Sequence, residues 1–498
     1  MRKVITISLL LALYVMPITT FAQWKNNVWM WGAWPNDTTW AYRGISKLIF
    51  NPNSINYFKD SLNKINISGT YTGLSTPDNN HFVYSNGYTV ANKNHDTLVN
   101  GTGLSPGGTY NNWSAFGNPT PYSAVLLPLP GSDTLIAMIH TDNFNTGSYH
   151  AENVYLSIID PTFNNNQGAV TIKNQLVAND SFNIGALLVN RHANGRDWWI
   201  LVKRNYQNDF FTFLLTPMGV ELKQIQDMGG PISQFGGQGV FSPNGKLMVG
   251  FNNGYQLRIY DFDRCSGQLS NMRYKYITNQ TSGGAAFSPN NRFLYINSWE
   301  KIWQFDLEST DVLNSQTLLA QYDTSFADPA TGLLAGFGYM YQAADGKIYL
   351  QNASGVMLHV INNPDMPGQA CNFVQNQIQC PTYYYATVPT YVNLNLMQEP
   401  GSICDTLGVG NEKLNIKNST LKIAPNPSNG NISIEFSVQE ISGMLYLYDV
   451  NGKQVYSEYV SPYTYIKNIN LQGKLSSGIY ALSMVFGEQR FFGKMLVE

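Results

Sequence analysis

Hydrophobic and polar residues alternate over most of the chain, and short segments rich in Asn, Asp and Gly interrupt the alternation. The segments FSPNGKLMVGF (241–251), FSPNNRFLYIN (287–297) and QAADGKIYLQN (342–352) show this most clearly. Each combines the end of one strand, a tight turn and an alternating apolar strand. Asn-Gly and Asp-Gly supply the positive φ angles that two-residue hairpin turns require. The pattern therefore predicts β-hairpins and few helices.

Looser copies of the same unit precede these three, at residues 76–86, 128–139 and 191–202. The turn residues are Asn80, Gly131, Gly195, Gly245, Asn291 and Gly346, at intervals of 51, 64, 50, 46 and 55 residues. A repeat of about 45 to 55 residues with roughly four strands is typical of a β-propeller. Residues 28–50 and the strands after Cys380 could join into one further blade, so the pattern predicts seven blades. Six blades, or an array of β-sandwiches, remain as alternatives.

The first 22 residues have the features of a secretory signal peptide. Arg2 and Lys3 precede an apolar run at 4–15, and Ala22 ends a plausible cleavage site. A membrane anchor would need about 20 unbroken apolar residues, and Pro17 interrupts this run. We expect export through the periplasm and no transmembrane segment after signal removal.

The composition narrows the classes of function. The chain has 498 residues and a net charge of −2, with no cluster of Lys and Arg, so we expect no nucleic-acid partner. Four cysteines, Cys265, Cys371, Cys380 and Cys404, permit two disulfides in an exported protein, in any of three connectivities. Cys404 lies just past the main body and could tie down its tail. No Cys/His spacing or nucleotide-binding motif appears, and the sequence predicts neither a metal nor a cofactor.

Residues 420–498 form a second unit of alternating strands, from NISIEF to RFFGKMLVE, separated by explicit turns such as NPSNG and VNGK. This pattern predicts a small antiparallel β-sandwich. Residues 401–419 have no apolar period, which is typical of a linker. The predicted propeller then covers residues 24–400.

Four motifs of the second unit, PNPSNG, LYDVNGKQV, LSSGIYAL and the terminal KMLVE, resemble the type A C-terminal sorting domain of the type IX secretion system of Bacteroidota. The resemblance implies that the type IX secretion machinery carries the folded chain through the outer membrane, to be attached to the cell surface or released. It implies no catalysis. The residues that match the motifs of the family are Pro425, Asn426, Pro427, Gly430, Asp449, Gly452, Lys453, Gly478, Tyr480 and Lys494.

Segments of the first unit, at 85–104, 191–203, 260–271 and 345–373, resemble Bacteroidota surface proteins that join a lactonase-like or WD-like propeller to such a sorting domain. That group has no established activity. The resemblance therefore implies an architecture and a location, the secreted fraction or the outer-membrane surface, rather than a reaction.

HANGRDWW (192–199) is the densest polar cluster, and His192, Arg196, Asp197 and Trp198 are the candidate ligand-binding residues. The alternative is a polar bridge between blades. Alternation places Trp198 and Trp199 on opposite faces of one strand, so at least one packs in the core. We favour the interpretation of this cluster as a polar bridge between blades.

Three weaker candidates remain. His140, Asp142 and His150 could converge on a metal, although a polar hairpin loop explains them as well. Asp261 and Asp263 share one strand face, as general acid–base chemistry would need, but they resemble ordinary turn residues. The Tyr-rich stretch at 383–391 could stack on sugars or peptides, or form a closing strand.

Together these features predict an exported binding protein whose propeller presents a face for a glycan or a protein. The alternative is a propeller enzyme, such as a lactonase or a glycan-acting hydrolase, with two or three ionisable side chains at the axial mouth. A structural component of the cell envelope is a third interpretation.

Overall fold

The computed structural model describes residues 24–51, 54–77, 80–145, 149–185, 187–230, 237–252, 256–277, 283–351, 355–384, 387–390, 392–404, 421–436, 439, 441–450, 453–486 and 489–498. The predicted signal peptide and residues 405–419 of the predicted linker lie outside these ranges. The chain divides into two compact units, Met1–Gly408 and Val409–Glu498. Each unit has its own apolar core.

The first unit is a β-propeller, and its described residues form seven blades. Blade 1 contains β1 (Val28–Ala33), β2 (Gly44–Asn51) and β3 (Ser54–Lys59). Blade 2 contains β4 (Thr70–Ser75), β5 (Phe82–Ser85), β6 (Thr89–Asn92) and β7 (Thr97–Thr102). Blade 3 contains β8 (Ala124–Pro128), β9 (Ile136–Thr141), the short β10 (Phe144–Asn145), β11 (Tyr149–Asp160) and β12 (Ala169–Phe182). Blade 4 contains β13 (Leu188–Arg191), β14 (Trp198–Lys203), β15 (Asp209–Thr216) and β16 (Gly219–Asp227).

The last three blades repeat the four-stranded pattern. Blade 5 contains β17 (Gly237–Phe241), β18 (Leu247–Asn252), β19 (Gln256–Phe262) and β20 (Leu269–Tyr276). Blade 6 contains β21 (Ala285–Phe287), β22 (Phe293–Asn297), β23 (Lys301–Asp306) and β24 (Thr317–Gln321). Blade 7 contains β25 (Met340–Gln342), β26 (Ile348–Gln351), β27 (Met357–Ile361) and β28 (Phe373–Gln379), and a two-residue strand, β29 (Val388–Pro389), comes after it. The helices in the described residues are α1 (Gly108–Trp113), α2 (Phe163–Asn166) and 3-10 turns at Val312–Asn314 and Gly368–Cys371.

Each predicted turn residue lies between the first and second strands of its blade. Gly195 has φ 71°, Gly245 has φ 72° and Gly346 has φ 80°, while Asn291 has φ 66°. A side chain with a Cβ rarely adopts this backbone conformation, and Gly and Asn are the residues that tolerate it. The repeat seen in the sequence is therefore the repeat of the first hairpin in each blade.

Apolar cores fill the spaces between neighbouring blades and close the ring. Trp199 of blade 4, for example, packs with Met248 of blade 5 in one such core. Trp29 and Phe50 of blade 1 pack with Tyr349 of blade 7 in another. A single four-stranded sheet cannot bury both of its faces, and packing blades around an axis solves this problem.

Residues 387–390 and 392–404, which together form the closing segment, contact blades 1 and 2. Val388 and Pro389 pair in parallel with Thr70 and Tyr71 of β4. On the side of blade 1, the Asn26 side chain donates to the Val392 carbonyl at 2.6 Å. The ring has seven blades, but the prediction that both ends of the propeller sequence share one blade is wrong: among the described residues the sheet of blade 1 contains β1, β2 and β3, and β29 pairs with blade 2.

The second unit is a small β-sandwich. One sheet has the order β30 (Lys422–Ala424), β31 (Asn431–Glu435), β34 (Ile466–Asn470). The other sheet has the order β33 (Gln454–Val460), β32 (Gly443–Tyr448), β35 (Gly478–Phe486), β36 (Gln489–Val497). Their inner faces share a core that includes Ile434, Leu447 and Met484. The predicted all-β fold class, a propeller followed by an antiparallel sandwich, is confirmed.

The motif residues of the sandwich hold its turns and its last strand. The Asn426 side chain donates to the Lys494 carbonyl at 2.8 Å and accepts from the Leu496 amide at 2.8 Å. Asp449 accepts from the Lys453 amide at 2.9 Å. A Cβ on Gly430 would lie 2.8 Å from the Leu471 backbone, so this turn requires glycine.

Tyr480 donates to the Ser476 carbonyl at 2.8 Å. Pro425 and Pro427 flank Asn426, each after a cis peptide bond, and Gly478 begins β35. Gly452 lies outside the described residues. The positions that define the motifs therefore include several whose role in this unit is to fix turns.

Candidate ligand-binding surface

A long loop at 34–43 connects β1 and β2 and carries three aromatic residues, Trp34, Trp40 and Tyr42. The Trp34 ring centroid lies 5.7 Å from that of Phe116, and the Trp113 centroid lies 6.2 Å from Phe116. Trp113 is the last residue of α1, in the connection between blades 2 and 3. The indoles of Trp34 and Trp113 are 37% and 44% exposed, which is unusual for such large apolar groups.

The other half of the same loop meets the start of the connection after blade 7. The Trp40 ring lies 5.6 Å from Tyr42 and 5.7 Å from Tyr383. The Tyr383 amide donates to the Tyr42 carbonyl at 2.9 Å. Six residues of these three connections together form the aromatic surface: Trp34, Trp40, Tyr42, Trp113, Phe116 and Tyr383.

Polar groups hold the aromatic surface in place. The Asn66 side chain accepts from the Trp34 amide at 2.6 Å and donates to the Ala115 carbonyl at 2.8 Å. It therefore joins the loop at 34–43 to the connection that carries Trp113 and Phe116. Trp34 itself has φ 54°, a left-handed conformation that is rare for a bulky residue and that clusters at functional sites.

An ion pair lies beside these rings. Asp37 pairs with Arg43, whose guanidinium stands 5.0 Å from the centre of the Trp34 ring. Hydrogen bonds from the Thr39 side chain and amide, and the charge of Arg43, lower the pKa of Asp37 below its usual value. The aromatic surface is therefore bordered by the Asp37–Arg43 ion pair, the Thr39 hydroxyl and the Asn66 amide. Exposed indole rings bordered by such groups and by half-buried phenol rings suit the apolar faces and hydroxyls of sugars.

The sequence pointed to Tyr383 but not to the other five residues of this surface. The segment VWMWGAWPNDTTWAYRG contains a pattern that could have identified Trp34 and Trp40. Trp29 and Trp31 follow strand alternation and lie in the core, whereas Trp34 and Trp40 fall after Gly32 in a turn-forming stretch. Strand alternation assigns Trp29 and Trp31 to the core, but it makes no such assignment for a tryptophan in a predicted loop. This difference separates Trp34 and Trp40 from the core tryptophans.

The structure places the predicted HANGRDWW residues in the turn between β13 and β14. His192 Nε2 lies 3.1 Å from the Cys265 carbonyl of blade 5, and burial lowers the pKa of His192. Asp197 accepts from Arg196 Nε at 2.7 Å and from Asn194. His192, Arg196 and Asp197 thus make contacts within the turn and toward the next blade.

Trp198 is fully buried and donates through its indole nitrogen to the Pro128 carbonyl at 3.1 Å. Its ring packs under the guanidinium of Arg191 at 3.7 Å and borders the central cavity of the propeller. Trp199 packs on the opposite face, between blades 4 and 5. Of the four predicted ligand-binding residues, Trp198 is therefore the one at the axis.

The predicted acidic pair has local partners. Asp261 pairs with Arg273 and accepts from Asn271 at 2.8 Å. Asp263 accepts from the Cys265 amide at 2.8 Å and from Ser266, in an ordinary turn. These contacts account for both carboxylates within their own blade.

The three residues predicted as a possible metal site, His140, Asp142 and His150, each have different local partners. His140 is buried, with Nδ1 2.9 Å from Ser105 Oγ and Nε2 2.9 Å from Ser157 Oγ. Asp142 accepts from the amide of Glu152 at 2.8 Å, and His150 lies 3.3 Å from the Glu152 carboxylate. Within the described ranges, no three His, Cys, Asp or Glu side chains are placed to share a metal ion.

One disulfide joins Cys265 to Cys404, across 139 residues. Cys371 and Cys380 are buried outside any disulfide. The expectation that Cys404 could tie down the tail of the propeller agrees with this geometry. In the part of the chain that the structure describes, no helix is long and apolar enough to cross a membrane.

The model of the family described as a secretion system C-terminal sorting domain matches residues 422–498. The C-terminal unit is a secretion system C-terminal sorting domain. This sorting domain directs export by the type IX secretion system to the cell surface or the medium. The resemblance seen in the four sequence motifs is thereby confirmed, and a source in the Bacteroidota is consistent with it.

The comparison with curated proteins finds no significant match. Among solved structures, a putative 6-phosphogluconolactonase from Bacteroides fragilis is 11% identical, with a TM-score of 0.46, covering 75% of this chain and 99% of its own. A protein from Lactobacillus plantarum is 11% identical, with a TM-score of 0.46 and coverages of 72% and 98%. PorZ, an essential surface component of the type IX secretion system of Porphyromonas gingivalis, is 12% identical, with a TM-score of 0.36 and coverages of 91% and 63%. Similarities this distant say nothing about the activity of this chain.

Proposed function

We propose that this protein is an exported glycan-binding module, whose propeller binds sugar chains through the aromatic surface. The observation that carries the proposal is that three separate connections bring six aromatic residues to the two ends of the loop at 34–43, with Trp34 and Trp113 exposed and the other four half-buried. The sorting domain supports the location, because it directs export to the cell surface or the medium. A protein at that location meets polysaccharides of its own envelope and of its surroundings.

A glycan suits this surface better than a protein partner does. Stable protein interfaces bury about 800 Å² on each partner and have an apolar centre. Here the exposed rings alternate with Asp37, Arg43 and Asn66, which offer both donors and acceptors for hydroxyl groups. A sugar ring presents an apolar face and a polar edge, and this combination matches the surface.

Replacing Trp34 by glycine is expected to weaken glycan binding about fivefold to tenfold, since one stacking contact contributes roughly 1 kcal/mol. Glycine accepts the positive φ of this position, so we expect no loss of stability from the backbone. Replacing Trp113 by alanine as well is expected to abolish retention. The measurement is retention of the full chain on a glycan array and a polysaccharide panel, followed by calorimetry with the best glycan.

Tyr206 provides a matched control. It is an exposed aromatic residue, at 43%, with φ 53°, in the loop between β14 and β15 and not part of the aromatic surface. Tyr206→Gly should leave glycan binding unchanged. Equal retention by wild type and the Trp34→Gly, Trp113→Ala double variant would contradict the proposal. Chemical change of the bound sugar would instead support the propeller-enzyme alternative.

A further inference from the structure

A separate cavity of about 270 Å³ lies on the axis of the propeller. Its walls come from the inner strands β13, β17, β21 and β25, and from Pro389, Thr390, Asn393 and Asn395 of the closing segment. Small-molecule sites in proteins begin at roughly 300 Å³. The volume therefore suits a ligand of about the size of one sugar ring.

The walls of this cavity are fixed by hydrogen bonds across three blades. Gln238 of β17 is buried, and its side-chain oxygen accepts from the amides of Ala285 and Met340, at 2.9 and 3.1 Å. Its side-chain nitrogen donates to the Met340 carbonyl at 2.5 Å. One side chain thus holds blades 5, 6 and 7 at the axis, and the cavity is a preformed part of the fold.

Four buried polar atoms without a hydrogen-bond partner among the described residues belong to the lining of this cavity. Tyr122 and Tyr341, which line it, are 7% and 3% exposed; their hydroxyl groups interact with each other, but among the described residues neither oxygen has a well-aligned hydrogen-bond partner. Their rings lie 6.5 Å apart. Thr390 Oγ1 and Arg191 Nε, which belong to two further lining residues, are also buried and unpartnered. Leaving such groups unpaired lowers the stability of a protein, so native proteins keep few of them.

The charge on the described lining residues of the cavity is positive. Arg191 is the cationic side chain among the described lining residues, and no carboxylate lies among them. Its guanidinium stacks on Trp198 at 3.7 Å and donates to the carbonyls of Arg196 and Leu394 at 3.3 and 3.4 Å. Arginine side chains present a planar set of donors that matches a carboxylate.

We propose that the axial cavity binds a small hydroxylated carboxylate of the sugar-acid class. Arg191 supplies the cationic contact, and the phenols of Tyr122 and Tyr341 supply hydrogen bonds to hydroxyl groups. Burial by the inner strands selects for size, and the single positive charge selects for an acid over the matching neutral sugar. This site is distinct from the aromatic surface, and its proposal does not depend on glycan binding there.

The test compares glucuronate with glucose, which differ at one carbon, in thermal unfolding and calorimetry of the full chain. Sodium chloride at equal ionic strength controls for charge screening. At a glucuronate concentration about 100 times the Kd, we expect a Tm higher by about 3 °C, because binding to the folded state shifts the unfolding equilibrium. Glucose is expected to bind at least tenfold more weakly. Absence of any glucuronate effect, or equal binding of glucose, would overturn the proposal.

Two tyrosine variants locate the site. Tyr341→Phe removes one buried hydroxyl that lacks a well-aligned partner, so we expect an unchanged or higher Tm without ligand and at least a tenfold loss of glucuronate affinity. Tyr295→Phe is the matched control, because the Tyr295 hydroxyl is buried away from the cavity and bonded to Pro364 and Gln304, each at 2.7 Å. It should lower the Tm and leave the affinity unchanged. Full affinity in Tyr341→Phe would overturn the placement.

Discussion

Replacing Cys404 by serine is expected to lower the free energy of unfolding of the propeller by about 3 to 5 kcal/mol. The disulfide to Cys265 closes a loop with a sequence separation of 139 residues, and the entropy that such a bond removes from the unfolded chain grows with loop length. It also secures the end of the closing segment, where the Glu399 amide donates to the Ala193 carbonyl at 2.8 Å. Urea unfolding followed by tryptophan fluorescence measures the change.

The same substitution should weaken binding in the axial cavity, because Asn393 and Asn395 of the closing segment form part of its wall. Adding a reductant to the wild-type protein should reproduce the loss of stability, and adding it to Cys404→Ser should change nothing further. Cys371 and Cys380 are buried outside the disulfide, so the reductant has one bond to act on. Identical unfolding curves for wild type and variant would show that the segment is held without the disulfide.

Acidification below pH 6.5 is expected to destabilise the propeller by about 1.4 kcal/mol per pH unit for each of two buried histidines. Burial lowers the pKa of His140 and of His359 to about 3. The unfolded chain binds a proton at each histidine below pH 6.5, whereas the folded chain does not until about pH 3. The stability contributed by the neutral histidines is therefore complete above pH 6.5 and is lost as the pH falls toward 3.

Replacing His359 by leucine isolates one of the two contributions. His359 packs against Phe337 at 5.1 Å and accepts from the Asn376 amide at 3.0 Å, so the variant will lose some stability at every pH. Between pH 4.5 and 6.5, where most carboxylates remain ionised, its unfolding free energy should fall about 1.4 kcal/mol less per pH unit than that of the wild type. Above pH 7 the two curves should run parallel. An unchanged acid slope would mean that His359 is protonated in the folded protein.

The blade repeat was readable from the sequence because its signals are local. Positive-φ residues such as Gly195 and Asn291 fix each hairpin within a few residues, and alternation fixes which face of a strand is buried. The number of blades followed from the intervals between these turns. Strand patterns at both ends without a partner nearby in sequence indicated a seventh blade, although β29 pairs with blade 2 and not with blade 1.

The sorting domain was readable for a similar reason. Its motifs coincide with turns that require particular residues, such as Gly430, where a Cβ would meet the Leu471 backbone. Asn426 and Lys494 lie far apart in sequence, yet both belong to short motifs at the two ends of the unit. Residue types that a tight turn demands are visible in sequence without knowledge of the packing.

Turns and strand alternation did not predict the candidate binding sites. The polar residues of HANGRDWW are adjacent in sequence, which made them candidates for ligand binding, but in the fold they bond to one another and to the next blade. Adjacency in sequence is what local turn chemistry requires, so a dense polar cluster is a weak indicator of a ligand site.

The sequence by itself determined the strand repeat, the propeller followed by a sandwich, and the delivery of the chain to the cell exterior. The tertiary structure decided which residues meet on the surface and at the axis. Tyr42 meets Tyr383 only because the ring closes, and Arg191 shares a cavity with Thr390 only because the closing segment returns to the axis. Turns and alternation depend on neighbouring residues, whereas a binding site depends on side chains that only the packing of distant blades brings together.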